Sequence, residues 1–248
     1  MTATLLVACL VVTASVADPA GAGVPDGVSG PVIYHEGTWY IRTTPTTGPA
    51  NLTFSYGRRG ALADLPVVGD WDGNGSETVG IARITGEFPQ VFRWHLRNRN
   101  SSGPADVTFE FGIPRATDYL RGLPVVGNFD PADDAYEVGY VTADSGGLTW
   151  TIRRDTTPTS PEVTFRYGRA DDRPLVGDWD GDGVDTPGAL RNQPPTDVGG
   201  GYEKWLVTNR NATGTADARF TYGSDAFALR NHQQSDLFYL PRLAIEVT

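Results

Sequence analysis

The chain repeats itself, and the repeat limits the folds open to it. Trp39, Trp94, Trp150 and Trp205 stand 55, 56 and 55 residues apart, and Phe54, Phe109, Phe165 and Phe220 keep the same intervals. Three residues after each of these Phe comes a glycine behind an aromatic: Tyr56–Gly57, Phe111–Gly112, Tyr167–Gly168 and Tyr222–Gly223. A period in this range marks an architecture of stacked units, each unable to bury its apolar faces alone.

Each unit holds four short runs with β patterning. In the second unit they are Leu65–Val68, Thr78–Arg83, Phe92–Arg97 and Asp106–Phe111. The text between them is rich in Gly, Pro, Asn and Asp, which supply turn geometry. No stretch keeps a 3.6-residue apolar period, and the 30 glycines and 18 prolines agree with short strands rather than helices. Four strands per unit, repeated four times, predict an all-β fold: a β-propeller of four blades over residues 31–248. The first unit lacks its opening strand, because Asp26–Trp39 matches only the later half of the pattern. The last stretch, Asp236–Thr248, holds a β-like run with no loop after it. The ring is therefore expected to close by strand exchange, with Leu237–Leu240 beside Val32–Tyr34. An open stack, or part of a larger ring completed by another chain, is the alternative.

Three of the units open on an acidic loop. In "VGDWDGDGVD", Asp178, Asp180 and Asp182 take alternate positions and Asp185 follows at loop position 8. Asp70, Asp72, Asn74 and Glu77 repeat this arrangement. Asn128, Asp130, Asp133 and Glu137 do so once one extra residue is looped out. Oxygens at alternate positions with glycines between them converge on one point, and calcium takes six to eight oxygens at about 2.3–2.6 Å. Magnesium, which demands a stricter octahedron, suits such loops less well. The loops are not EF-hands: Ile81 stands at position 12 of the first, and no helices flank it. The ions are expected to be structural, since the loops carry no evident substrate-activating group. A hydrogen-bonded Asx/Gly turn without an ion is the competing reading.

The stretches "VGDWDGNG", "VGNFDPAD" and "VGDWDGDG", with the Tyr-Gly or Phe-Gly that ends each unit, resemble the FG-GAP/VCBS repeat of bacterial surface proteins, related to the propeller of integrin α subunits. The resemblance spans about residues 31–240. It implies a calcium-binding propeller fold and says little about function, because such folds host binding, adhesion and catalysis. The chain departs from integrin-related loops in placing its last acid at position 8 rather than 9.

The apolar run Leu5–Ala17, with Ser15 and Ala17 before a cleavage point, reads as a secretory leader over residues 1–17, followed by a linker over 18–30. It is too short for a comfortable membrane span. The start lacks the usual positive charge, and Leu6–Cys9 resembles a lipobox, so lipid anchoring through Cys9 is an alternative to secretion. A buried first strand is another. Cys9 is the only cysteine, so a cleaved chain has neither disulfides nor thiol chemistry. The net charge of −10 argues against nucleic acid and anionic membrane as partners.

The remaining candidates favour structure over chemistry. One Trp per unit at a fixed place reads as packing rather than sugar stacking. Trp71, Phe129 and Trp179 read as loop anchors. Arg42, Arg97 and Arg153 follow Trp at one offset and read as a structural ladder, broken at Thr208. His35, His95 and His232 have no metal-ligand spacing, and no nucleophile motif or P-loop occurs. Asn51, Asn74, Asn100 and Asn211 head glycosylation sequons. The expectation is a secreted, calcium-stabilised, non-enzymatic module that binds a protein or glycan. The alternative is a secreted enzyme on polysaccharide, with its site at the propeller channel or the blade-top loops.

Overall fold

A computed structural model describes residues 8–12, 30–44, 47–59, 64–85, 90–112, 122–155, 160, 162–193 and 202–221. Every regular element among them is a strand, and sixteen strands form four antiparallel four-stranded sheets. The first blade holds β1 (Ala8–Val12), β2 (Gly30–His35), β3 (Thr38–Ile41) and β4 (Leu52–Ser55). The second holds β5 (Asp64–Gly69), β6 (Thr78–Thr85), β7 (Val91–Leu96) and β8 (Val107–Glu110). The third holds β9 (Leu123–Gly127), β10 (Glu137–Asp144), β11 (Gly147–Arg153) and β12 (Glu162–Arg166). The fourth holds β13 (Arg173–Gly177), β14 (Thr186–Gln193), β15 (Tyr202–Val207) and β16 (Ala218–Thr221). The strands of each blade run in sequence order, and β9 lies against both β5 and β13. The protein is a four-bladed β-propeller.

Closure of the first blade differs from the expectation. The edge of β2 that was to receive Leu237–Leu240 is taken by β1, with Ala8 opposite Tyr34, Cys9 opposite Ile33 and Leu10 opposite Val32. The C-terminal run lies outside the described residues. Both runs are apolar and β-prone, so either suits that edge. The nearer one closes a far shorter loop, which costs less chain entropy. This strand falls inside the stretch read as a leader.

Alternation along the strands builds the core between blades rather than within them. On β6, Val79 and Ile81 join Val32, Trp39 and Tyr56 of the first blade, while Ala82 turns with Phe92 and Trp94 toward Val126 and Val138 of the third. The next seam gathers Val141, Trp150, Ile152 and Tyr167 against Val176 and Ala189.

The repeated aromatics now have reasons. The indole N–H groups of Trp39, Trp94 and Trp150 donate to the carbonyls of Tyr56, Phe111 and Tyr167 at 2.7, 2.8 and 2.9 Å. Each Trp also pairs across strands with the repeated Phe. Trp94–Phe109, Trp150–Phe165 and Trp205–Phe220 are stacked rings with centroids 6.2, 6.2 and 5.7 Å apart. A buried indole that satisfies its own N–H is a packing residue, as expected. The arginines behave likewise. Arg97 donates to the carbonyls of Ser101, Ser102 and Pro104, and Arg42 to those of Thr47 and Pro49, so each holds its own hairpin loop shut. Arg153 instead lies over the rings of Phe109 and Phe111. "HEGT" is a tight turn between β2 and β3. Glu36 and Gly37 take φ of 47° and 80°, the left-handed pair that suits the twist of a hairpin.

Candidate functional site

The acidic loops lie between the first and second strands of the second, third and fourth blades. In the fourth blade Gly181 and Gly183 adopt φ of 78° and 88°, and this left-handed backbone curls the loop around Asp178. The Asp178 carboxylate accepts N–H groups from Gly181, Asp182 and Gly183 at 2.8–3.2 Å. Asp182 accepts from Val184 at 2.9 Å. One carboxylate oxygen from each of Asp178, Asp180 and Asp182 lies within 4.8 Å of the others. Two oxygens on opposite sides of a calcium ion are about 5 Å apart, so this spread fits one. Asp180 is held above the ordinary carboxylate range, first by desolvation and then by the charges of Asp182 and Asp178. A cation would relieve that crowding.

The second-blade loop repeats the curl. Asp70 is buried and accepts from Asn74 at 3.1 Å and Gly75 at 2.7 Å, while Asn74 accepts from Ser76. Burial raises the Asp70 pKa, and the Gly75 and Asn74 N–H groups pull it back. Asp72 is exposed at the rim.

The third loop is built differently. Gly69 pairs with Thr78 and Gly177 with Thr186, but Gly127 pairs with Glu137, one residue later. The extra residue is there as expected. Register, however, puts Tyr136 rather than Glu137 in the place of Glu77 and Asp185. The loop has Pro131 and Asp134 where the others have glycine and shows no positive φ. Glu137 closes it instead, accepting from Phe129 at 2.6 Å and Asp130 at 3.1 Å. Burial pushes Glu137 up to about 8 against those two bonds. Asp130 meets Arg154 at 3.3 Å, and Asp133 accepts from Ala135.

In the second and fourth blades the last acid leaves its own loop. Asp185 accepts the Asn128 N–H, a blade away, at 2.9 Å, and Glu77 accepts the Tyr136 hydroxyl at 3.0 Å. Asp185 is pushed up to about 7, mainly by burial. The structure thus brings Asp178, Asp180 and Asp182 together, and it sends Glu77 and Asp185 to the seams between blades.

Two asparagines that the sequence marked only as sequon heads brace these loops, and two ion pairs escaped the sequence reading. Asn211 donates to the carbonyls of Phe129 and Asp185, and Asn100 to that of Glu77. Two buried ion pairs recur. Arg83 grips Asp64 at 2.5 and 2.8 Å, and Arg191 grips Asp172 at 2.7 and 2.6 Å. A signal was present: Asp64 and Asp70 are spaced like Asp172 and Asp178, and both arginines follow at one offset.

No protein-family model matches the chain, and no match is found among the curated proteins or the solved structures. No helix among the described residues is long and apolar enough to cross a membrane.

Proposed function

We propose that this protein is a secreted, calcium-stabilised propeller that serves as a non-enzymatic binding module for an extracellular protein or glycan. The observation that carries this reading is the use made of the acids. Asp70, Asp178 and Glu137 accept backbone N–H groups within their loops, and Asp185 and Glu77 join blade to blade. Acids so engaged hold a scaffold together. Asp178, Asp180 and Asp182 would hold the ion, whose chemistry there is charge neutralisation of a folded loop. The motifs shared with FG-GAP/VCBS repeats support the same reading. A glycan array and binding to immobilised extracellular polysaccharides test it, and failure of every glycan and protein ligand to bind the purified chain would overturn it.

Export with removal of residues 1–17 belongs to the proposal. Mass spectrometry of the exported chain is expected to find Asp18 or a near neighbour at the N-terminus. A mass that retains Ala8–Val12 assigns that run instead to the first blade of the working protein, where it pairs with β2.

A second reading, an enzyme on polysaccharide with its site at the channel or blade-top loops, draws on Glu137 and Asp185. Both are buried carboxyls raised toward neutrality, a property of general acids. Release of reducing ends from a polysaccharide, lost in Glu137→Gln, would favour it.

A further inference from the structure

Between the first and second blades a cleft of about 260 Å³ opens, lined among others by Ser55, Tyr56, Ile81, Arg83, His95 and Ala105. Its walls are of two kinds: Ile81, Ala105 and the Tyr56 ring are apolar, while Ser55, Arg83 and His95 are polar. Tyr56 is buried among the core residues of the seam, and its hydroxyl has no hydrogen-bond partner. A buried hydroxyl left this way is uncommon; those of Tyr34 and Tyr167 share it, and of the three tyrosines Tyr56 is the one that lines the cleft.

The charges of Arg83 and Asp64 cancel. Asp64 takes Nε and one terminal nitrogen of Arg83, and the other terminal nitrogen faces His95 Nε2 at 3.3 Å. Burial and the Arg83 charge lower the His95 pKa, so the ring is neutral at pH 7. Burial pushes Tyr56 up to about 12, so its hydroxyl keeps its proton. The trio of Asp64, Arg83 and His95 carries no net charge to attract an anion, and the Arg97 guanidinium beside Gly103 of the lining is engaged by the carbonyls of Ser101, Ser102 and Pro104. Pockets for drug-sized ligands run to about 300–1,000 Å³, so this smaller cleft limits its ligand to about one ring.

The repeats add an internal comparison. Where the next junction has Phe111 in place of Tyr56, the positions of Asp64 and Arg83 hold Gly122 and Thr142. Where Tyr167 restores the hydroxyl, Asp172 and Arg191 restore the pair. The hydroxyl and the ion pair travel together. His95, opposite Ile81, is replaced by Thr151 and Leu206 in the third and fourth blades, so of the three junctions compared the first carries the fullest polar set.

We propose that the cleft between the first two blades binds a single uncharged sugar ring, with its C–H face toward Ala105 and its hydroxyls toward Ser55, Tyr56, Arg83 and His95. This rests on the binding-module reading and names its ligand class and its place. The probes are the methyl glycosides of glucose, galactose, mannose and N-acetylglucosamine, with inorganic phosphate as the anionic comparison, read by saturation-transfer NMR on the full chain. At least one glycoside is expected to bind, and phosphate is not. Tyr56→Phe and His95→Ala, with strand content checked by circular dichroism, are each expected to weaken the glycoside about three- to tenfold, the range of a lost neutral hydrogen bond. Phosphate binding in place of the glycosides overturns the proposal. Glycoside affinity unchanged in both folded variants also overturns it and puts the sugar elsewhere, leaving the binding-module reading intact. Hits on a glycan array with no glycoside binding to the wild type overturn the cleft alone.

Discussion

Asp185 belongs to the fourth blade, yet its Oδ2 accepts the Asn128 N–H of the third at 2.9 Å, and its own N–H returns to the Asn128 carbonyl at 2.6 Å. The pair closes a two-bond clasp across a seam. Tyr136 and Asp70 repeat the backbone half of it, N–H to carbonyl at 2.7 Å. Asp185→Ala leaves the Asn128 N–H without its carboxylate partner. The expected cost is about 1–3 kcal/mol, read as a lower melting temperature. The response to calcium is expected to survive, because Asp185 stands apart from the oxygens of Asp178, Asp180 and Asp182.

Calcium is expected to raise the melting temperature and chelator to lower it. An ion that binds only the folded chain stabilises it by about 2.7 kcal/mol at a hundredfold excess over its Kd. For a domain of this size that is a shift of about 5–10 °C. Magnesium is expected to restore less, since the loop does not enforce an octahedron. Asp180→Ala should remove part of the response, and Glu162→Gln, on an exposed strand position, should not. Identical melts in chelator and in millimolar calcium, with no heat of binding, would mean that the loops are plain turns.

Arg83→Ala is expected to cost about 3–5 kcal/mol, because it strands a carboxylate in the seam. The Asp64 side chain is 0% exposed and that of Arg83 13%. The exposed pair Arg166–Asp144 is the comparison, and Arg166→Ala is expected to cost about 1 kcal/mol or less. Urea denaturation of the two variants measures the difference. Equal midpoints would mean that the buried pair adds nothing beyond a surface one.

Alkali is expected to destabilise the fold above about pH 10. Burial pushes Tyr34, Tyr56 and Tyr167 up to about 12 from 10.0. Between those values the folded chain keeps protons that the unfolded chain has lost, so stability is full below pH 10 and falls as pH rises toward 12. Tyr56→Phe removes one of the three groups, and its stability is expected to fall less steeply over that interval. Melting temperature against pH for both chains checks this. Parallel curves would place the Tyr56 hydroxyl in water.

The four blades were legible in residues that recur because one contact recurs. Trp39, Trp94 and Trp150 each need a carbonyl for the indole N–H and find it seventeen residues on. Spacing alone therefore gave strand number, blade number and the extra residue in the third loop. The carboxylates were harder to place. Spacing grouped Asp185 with Asp178 because the two share a loop, but a side chain at the foot of a strand points where the neighbouring blade offers a donor. Glu137 and Glu77 looked alike in the chain, and a one-residue change of register separated them. His95 and Tyr56 gave no hint of a shared cleft, since β4 and β7 meet only once the blades stack.

What the sequence determined alone is local and periodic: which runs are strands, where the chain turns, and which aromatics pair across a sheet. These rest on interactions between residues close in the chain or at a fixed offset. The tertiary structure decided which run fills the edge of β2, which carboxylates share a point in space, and which face one another across a seam. Those outcomes depend on how twisted sheets pack face to face, and that packing joins residues of different blades that no spacing within one unit connects.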